Sequence, residues 1–396
     1  MTDRDAYIVA AVRTPVGKAP KGAFRHTRPD DLLAHAIAAA FRQAPAVDPA
    51  ETSDVIVGCA MPEGSQGMNV ARIGTLLAGL PETVPAYTVN RFCASGLQAV
   101  ALAADRIRLG EADVAVAAGT ESMSQVPMMG HRPAFNPRVV HEDEHVGIAY
   151  GMGITAERVA GRWNVSREDQ DAFALTSHQR AVAAQDNGWF DAEIVPVATR
   201  SHTPGEGGVV AVREQAVAAD EGPRRDTSAE ALAKLRPAFA ARGSVTPGNS
   251  SQMSDGAGAL VLVSGERLRS LGIEPLARFA GYAVAGVAPE IMGIGPVSAY
   301  PQALRRAGID GADVDWIELN EAFAAQSLAV IRDLELDPQR VNPLGGAIAL
   351  GHPLGATGAI RSATAIHGLR RTGGRYGVVT MCVGTGMGAA GVFEAA

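Results

Sequence analysis

Three segments of the chain place thiol and imidazole groups where they could do chemistry. In the first, Asn90-Arg91-Phe92-Cys93-Ala94-Ser95-Gly96, Cys93 falls between an apolar run and a helical stretch. Unpaired N–H groups and the helix dipole at such a junction favour a thiolate, the nucleophilic form. The small residues after it leave room for a substrate, although a buried structural cysteine fits this turn equally well. In the second, Gly345 to Gly358, five glycines and a proline surround His352. A histidine on such a rigid, close-approach loop can activate a thiol and donate to a developing oxyanion; the alternative is a surface histidine. The third, Met381-Cys382-Val383-Gly384-Thr385-Gly386, puts a cysteine at a strand end, with backbone amides after it that could form an oxyanion hole.

Taken together, a cysteine nucleophile, a histidine base and a second cysteine as proton donor suit acyl transfer between thiols. The remaining cysteine, Cys59, ends an apolar run without comparable loop chemistry and reads as core. Neither a phosphate-loop lysine nor a Gly-x-Gly-x-x-Gly spacing supports phosphate binding by the glycine-rich loop. Three scattered cysteines make no disulfide framework, and no Cys-x-x-Cys pair or histidine cluster predicts a metal.

The elements that must position these groups follow from periodicity. Apolar runs at Ala6–Val12, Asp54–Cys59, Val84–Asn90, Asp113–Gly119, Gly256–Ser264, Arg278–Val287, Val314–Asn320 and Tyr376–Met381 read as strands. Helical patterns cover Pro29–Gln43, Ser95–Leu109, Ala322–Leu334 and Thr357–Arg371. The alternation predicts an α/β fold with helices on both sheet faces. Residues 121–249 break it, mixing Met, Pro, His and charge. They include an amphipathic helix at Arg167–Asn187, capped by Ser166, and a polar loop at Ser201–Gly208. The expected organisation is an N-terminal α/β half (1–120 plus 250–274), an inserted loop domain over one face (121–249) and a C-terminal α/β half (275–396). A weak internal repeat relates Val89-Asn90 with its Cys93 turn to Val341-Asn342 with its His352 turn, and would bring both loops to one place.

At 396 residues, 47% hydrophobic and 19% charged, the chain is long enough for two or three packed units. A net charge of −7 without a dense Lys/Arg run argues against wholesale nucleic-acid binding. No stretch approaches the roughly 20 apolar residues of a membrane span. The polar start lacks a signal-peptide pattern and the end lacks a Ser-Lys-Leu address, so a soluble cytoplasmic protein is expected.

These segments resemble the thiolase family. The Cys93 turn, the Gly351-His352-Pro353 loop, the Cys382-Val383-Gly384-Thr385-Gly386 turn and Asn320-Glu321-Ala322-Phe323 match its signatures in order, and the likeness runs from Arg13-Thr14-Pro15 to Phe393-Glu394. The resemblance implies two similar halves forming a layered α-β-α-β-α core with an inserted loop domain. It also implies thiolysis of a 3-ketoacyl-CoA. Cys93 would attack the keto carbonyl and hold the acyl group, His352 would take the Cys93 proton, and Cys382 would protonate the departing acetyl-CoA enolate and then deprotonate the incoming CoA thiol. His352 and a water held by Asn320 would form one oxyanion hole; the Cys93 and Gly384 N–H groups would form the other.

The resemblance also implies coenzyme A contacts at Arg224 and Ser251, with Arg225 competing for the first role, and apolar contacts at Met152, Phe239, Met292 and Phe323. Coenzyme A would be a substrate, with no cofactor permanently bound. Partners would be acyl-CoA, CoA and at least a second copy of the chain, with a hydratase/dehydrogenase subunit as a further candidate. Thr385, Asn90 to Cys93, Glu121 to Ser124, Ile291 to Pro296, and Gly151 where acetoacetyl-CoA thiolases usually carry histidine point to the degradative 3-ketoacyl-CoA group, hence fatty acid β-oxidation. An acetyl-CoA C-acetyltransferase is the alternative within the family. A ketoacyl-ACP synthase generally lacks the second cysteine. A thiol redox protein or non-catalytic acyl-CoA binder is the reading from another class.

Overall fold

In the computed structural model, which describes residues 2–141, 146–205, 207 and 209–396, the first apolar run is strand β1 (Ala6–Arg13), buried along its length. Strand β2 (Gly17–Lys18) follows, then helix α1 (Pro29–Gln43), which buries Leu33, Ala36, Ile37 and Ala40 at helical spacing. Asp30 and Asp31 occupy its first turn, where the positive end of the helix dipole favours them. The first half continues with β3 (Asp54–Gly58), α2 (Val70–Leu77), β4 (Ala86–Val89), α3 (Ser95–Arg108) and β5 (Val114–Ser122). A middle region carries α4 (Arg138–His141), α5 (Met152–Arg162), α6 (Arg167–Asp186), the hairpin β6 (Val197–Pro204) and β7 (Val210–Val217), and α7 (Ala229–Ala233). Strand β8 (Ser254–Ser264) and α8 (Gly265–Leu271) return to the first half. The second half is β9 (Ala277–Gly286), α9 (Gly295–Ala307), β10 (Val314–Leu319), α10 (Ala324–Asp333), α11 (Ala347–Leu350), α12 (Leu354–Thr372), β11 (Tyr376–Val383) and β12 (Met387–Ala395).

The strands run in the order β10-β11-β12-β9-β1-β8-β5-β3-β4, with β2 on β8. Each half repeats one scheme. Antiparallel pairs β1-β8-β5 and β9-β12-β11 are extended by parallel neighbours, β3 and β4 in the first half and β10 in the second. A parallel bridge from Ile317 to Val341 stands where the second half lacks a counterpart of β4. The halves join edge to edge only at Tyr7–Arg278 and Ile8–Ala277.

That narrow seam lets the halves face each other. Helices α3 and α12 pack together and touch strands of both halves, while α1 covers β1, β5 and β8 and α9 covers β9, β11 and β12. The result is the expected α-β-α-β-α layering. The central layer is filled by Leu97, Val100, Ile107, Ile366 and Leu369, sealed by Phe279 and Phe393. Glycine sets the closeness of the central helices: a Cβ on Gly358 would stand 2.1 Å from the Leu97 nitrogen, and one on Gly96 2.7 Å from the Ala359 nitrogen. These two glycines belong to the His352 and Cys93 segments. Their spacing therefore reflects packing as well as room for substrate.

The middle region differs from expectation in two places. Ser201 to Pro204 belongs to β6 and pairs with β7 rather than forming a loop, because backbone pairing overrides the turn-like composition; the expected loop also included Glu206 and Gly208, which lie outside the described residues. Helix α6 does bury one face, but that face is polar: Gln170, Asp171, Ser177 and His178 alternate with alanines. Ser166 caps it as expected, accepting from the Asp169 N–H at 3.0 Å. A buried ion triad fastens the region to β1. Arg13 holds Glu193 at 2.6 Å and both Asp220 oxygens at 2.7 and 2.9 Å. Removing one member of such a triad costs about 3–5 kcal/mol, because the others stay buried and unpaired.

Candidate active site

Cys93 lies in a single 3-10 turn, Phe92–Ala94, between β4 and α3. Phe92 takes φ +42°, a conformation costly for a side chain of its size. The turn is held by the Asn90 side chain, which accepts from the Phe92 N–H at 2.8 Å and donates to the Ala60 carbonyl at 2.9 Å. Ser95 adds a bond to the Phe92 carbonyl at 2.6 Å. Arg91 reaches Gln98 at 2.7 Å, and Gln98 also accepts from the Tyr282 hydroxyl of the opposite half.

The backbone N–H groups of Gly384 and of Cys93 itself act on the Cys93 sulfur in favour of its thiolate, as the strand-to-helix junction suggested. Burial nonetheless outweighs them and pushes the thiol up to about 11. Desolvation is the larger effect, which leaves a proton for a base to take, as the resemblance implies for His352.

Cys382 is fully buried on β11, opposite Gly388 of β12. Burial, then the neighbouring Cys93 charge, pushes its thiol far above the usual cysteine range. Around Cys382 pack Met292, Ala322, Phe323, Ala156, Val245 and the half-buried Met152. Phe239 meets Phe323 edge to face at 6.0 Å between ring centroids. Four residues expected to line an acyl pocket thus surround the second cysteine, directly or through one ring contact.

His352 sits in the loop between α11 and α12, buried, with Nε2 3.3 Å from the Asn320 side-chain nitrogen and Nδ1 2.6 Å from the Thr357 hydroxyl. Burial, helped by the Arg361 charge, lowers its basicity to about 3, so the ring rests neutral. The Asn320 side-chain oxygen is buried without a partner. Orphaned acceptors of this kind cost free energy unless something fills them, and this one fits the expected role of holding a water.

Of the two residues expected to meet coenzyme A, Ser251 touches this cluster through Ala322, while Arg224 is held by other contacts. The Arg224 N–H donates to His178 at 3.1 Å, while its exposed side chain reaches Asp226 only at 3.7 Å. Arg225 is engaged by both Asp186 oxygens, which leaves Arg224 the freer of the two. Ser251 donates its N–H to the Ala322 carbonyl at 2.9 Å, beside Phe323.

Two buried carboxylates that organise the site had no role in the sequence reading. Glu121 accepts from the N–H groups of Ala60, Met61 and Gly355 and from Gln66, all between 2.7 and 3.2 Å. Glu321 accepts from Ser177 at 2.6 Å, Asn342 at 2.8 Å and the Ile348 N–H at 3.1 Å. Both lie within segments singled out by resemblance, so the residue type was visible; the signal for its role was an acid in an otherwise apolar strand end. Cys59 is buried with its sulfur 3.9 Å from Glu121, and burial and that carboxylate push its thiol well up, as suits a core residue.

A fold of two layered halves with paired cysteines, a histidine and an asparagine at their meeting defines an acyl-transferring class of protein. The chain belongs to the thiolase family: its residues 6–266 match the thiolase N-terminal domain and residues 273–395 the C-terminal domain. It is 51% identical to the 3-ketoacyl-CoA thiolase of Bacillus subtilis, over 99% of both chains. It is 48% identical to the human peroxisomal 3-ketoacyl-CoA thiolase, over 98% of this chain and 91% of that one. Among solved structures it superposes on the Bacillus anthracis acetyl-CoA acetyltransferase with a TM-score of 0.89 at 40% identity, covering 99% of each chain. On human mitochondrial 3-ketoacyl-CoA thiolase the TM-score is 0.88 at 39% identity, covering 100% of each.

Proposed function

We infer that this chain is a 3-ketoacyl-CoA thiolase of fatty acid β-oxidation, splitting a 3-ketoacyl-CoA with CoA into acetyl-CoA and a shortened acyl-CoA. The full-length likeness to 3-ketoacyl-CoA thiolases carries the activity. The observation that supports the assignment of roles is the buried contact of His352 with Asn320 at 3.3 Å, next to an Asn320 oxygen left without a partner, with Cys382 packed against Met292 and Phe323. In this reading Cys93 gives its proton to His352 and attacks the keto carbonyl. The Cys93 and Gly384 N–H groups then hold the thioester oxygen. His352 and a water on Asn320 hold the enolate oxygen, and Cys382 supplies the proton to the enolate carbon. Donors aimed at where charge develops account for the largest share of such catalysis.

CoA enters as a substrate, with no resident cofactor. Its nucleotide end meets Arg224, its pantetheine passes Ser251, and Met152, Phe239, Met292 and Phe323 line the acyl path. Residues 121–249 cover this site as an inserted domain between halves formed by 1–120 with 250–274 and by 275–396. Met suits a path that must accept flexible chains.

The degradative substrate class is favoured by Gly151, where an added Cβ meets nothing within 4 Å, leaving space that a larger residue would fill. The acetyltransferase alternative keeps support from the Bacillus anthracis structure. Among the described residues no helix is long and apolar enough to cross a membrane. We place the protein in the cytoplasm, in line with the bacterial relative, whereas the human relative is named peroxisomal. We also propose a homodimer or larger assembly: β4 is the outer strand of its half, and Met68, next to the Asn69 that bonds to it, is 92% exposed. A complex with a hydratase/dehydrogenase subunit remains a proposal from family likeness.

The test is mass spectrometry of the protein mixed with a long-chain 3-ketoacyl-CoA and, separately, with acetoacetyl-CoA. An acyl adduct on Cys93, absent in Cys93→Ala, is expected, with faster turnover of the long-chain substrate. No adduct and no turnover would sink the assignment; a clear preference for acetoacetyl-CoA would move it to the acetyltransferases.

A further inference from the structure

His352 rests neutral, with one proton for two ring nitrogens. Each nitrogen has one buried partner: Thr357 Oγ1 at 2.6 Å from Nδ1, and Asn320 Nδ2 at 3.3 Å from Nε2. An amide nitrogen only donates, so its approach needs a lone pair on Nε2. That places the ring proton on Nδ1, where a hydroxyl oxygen can accept it. The chain folds this way because Thr357 stands in the first turn of α12 and the Gly351-His352-Pro353 loop doubles back over that turn.

We propose that Thr357 is a positioning residue for the reaction: by accepting the Nδ1–H of His352, it holds the tautomer whose Nε2 is open to the Cys93 proton. The proposal rests on reading Cys93 as nucleophile and His352 as its base. In the step concerned, the Cys93 S–H bond breaks and its proton bonds to the Nε2 lone pair. The sulfur electron pair forms a bond to the keto carbon. The carbon–carbon bond then breaks toward the acetyl-CoA side, as the enolate, which takes a proton at carbon from Cys382. Throughout, Nδ1–H keeps the same acceptor, so the ring need not turn between its neutral and charged forms. The new Nε2–H finds its acceptor in the developing oxyanion.

A hydroxyl has a property here that a carboxylate lacks. A carboxylate would fix the same tautomer while also stabilising the imidazolium, and so would raise the basicity of the resting ring. The neutral hydroxyl orients the ring and leaves its basicity low, consistent with a thiol that stays protonated until substrate is in place.

The experiment uses full-length protein with nitrogen-15 histidine, the His352 ring signals being assigned among nine histidines by their loss in His352→Gln. Wild type should show the Nδ1–H tautomer. Thr357→Val should move the ring toward Nε2–H and slow acylation of Cys93 by about 10- to 100-fold, below the ordinary worth of a general base because the ring is misdirected only part of the time. Thr357→Ser should restore both. A wild-type ring already carrying Nε2–H overturns the proposal, as does a valine variant that acylates at the wild-type rate. If the valine variant does not fold, the wild-type spectrum still decides. Absence of acylation in wild type would instead overturn the reading of Cys93, while the spectrum reports on Thr357 independently.

Discussion

In the first half, β3 leads into Cys59, the turn before α3 holds Cys93, and β5 reaches Glu121 one residue before its end. In the second half, β10 leads into Asn320, the turn before α12 holds His352, and β11 reaches Cys382 one residue before its end. The ladder confirms the last match, since Glu121 stands opposite Gly256 of β8 and Cys382 opposite Gly388 of β12. The same three corners are thus used differently. Glu121 is saturated by four donors drawn from three segments, and Cys59 lies beside it. In the second half the saturated carboxylate is Glu321, one residue past the corner, and Asn320 keeps an unpartnered oxygen. At these corners Glu121 has its donors in place, whereas Asn320, proposed to hold a water, keeps an oxygen free for one.

The contrast can be broken most directly at Cys93. Cys93→Ala should lower turnover by about 10⁴-fold or more and abolish the acyl adduct, with the fold intact by circular dichroism. Cys382→Ala should lower turnover by about 10²–10⁴-fold, the usual worth of a positioned proton donor, yet still permit acyl loading from a preformed acyl-CoA; failure to load would merge two roles kept apart here. Glu121→Ala should act on stability, costing about 3 kcal/mol in denaturant melts by leaving buried N–H groups unpaired. If Glu121 were a reacting group instead, turnover would collapse while the melt stayed put.

Acidity provides a finer test. His352 has its folded-state value depressed to about 3 from 6.5, so the unfolded chain binds a proton that the native chain refuses. Its contribution is therefore present above about 6.5 and is lost as pH falls toward about 3. Glu318 has the opposite sign: burial raises it to about 7 from 4.5, so its contribution is present below about 4.5 and is lost as pH rises through about 7. Melts should show His352→Gln weakening the acid-side loss and Glu318→Gln weakening the loss near neutrality. The smallest effect is expected at Cys59→Ala: unchanged kcat/KM and a destabilisation of about 1 kcal/mol from a small cavity.

Most of the framework was legible in the sequence because apolar periodicity reports burial directly. Pro29–Gln43 matched its helix end to end, and the runs at Asp54, Val114 and Val314 each fell on a strand. Helix α9 was not anticipated, since its Pro296 and Pro301 read as breakers although the first is harmless in an opening turn. Strand β12, built largely of Gly and Ala, offers no alternation of large and small polarity. At the site, Cys93, His352 and Cys382 could be named from their loops. The polar buried face of α6 could not, because its logic lies in partners such as Ser244, Asn249 and Glu321, distant in sequence. The balance at Cys93 was only half legible for a related reason: local amides are visible in a sequence, while the desolvation that outweighs them is assembled from both halves.

The narrow seam between β1 and β9 has a consequence for the order of synthesis. The thiol of residue 93 emerges from the ribosome long before Asn320, His352, Cys382 and Gly384 exist. On the proposed roles, until the second half closes over α3 that cysteine has neither its base nor its second oxyanion donor. A chain released without β11 and β12 is therefore expected to keep Cys93 and form no acyl adduct, which mass spectrometry of such a truncation would check.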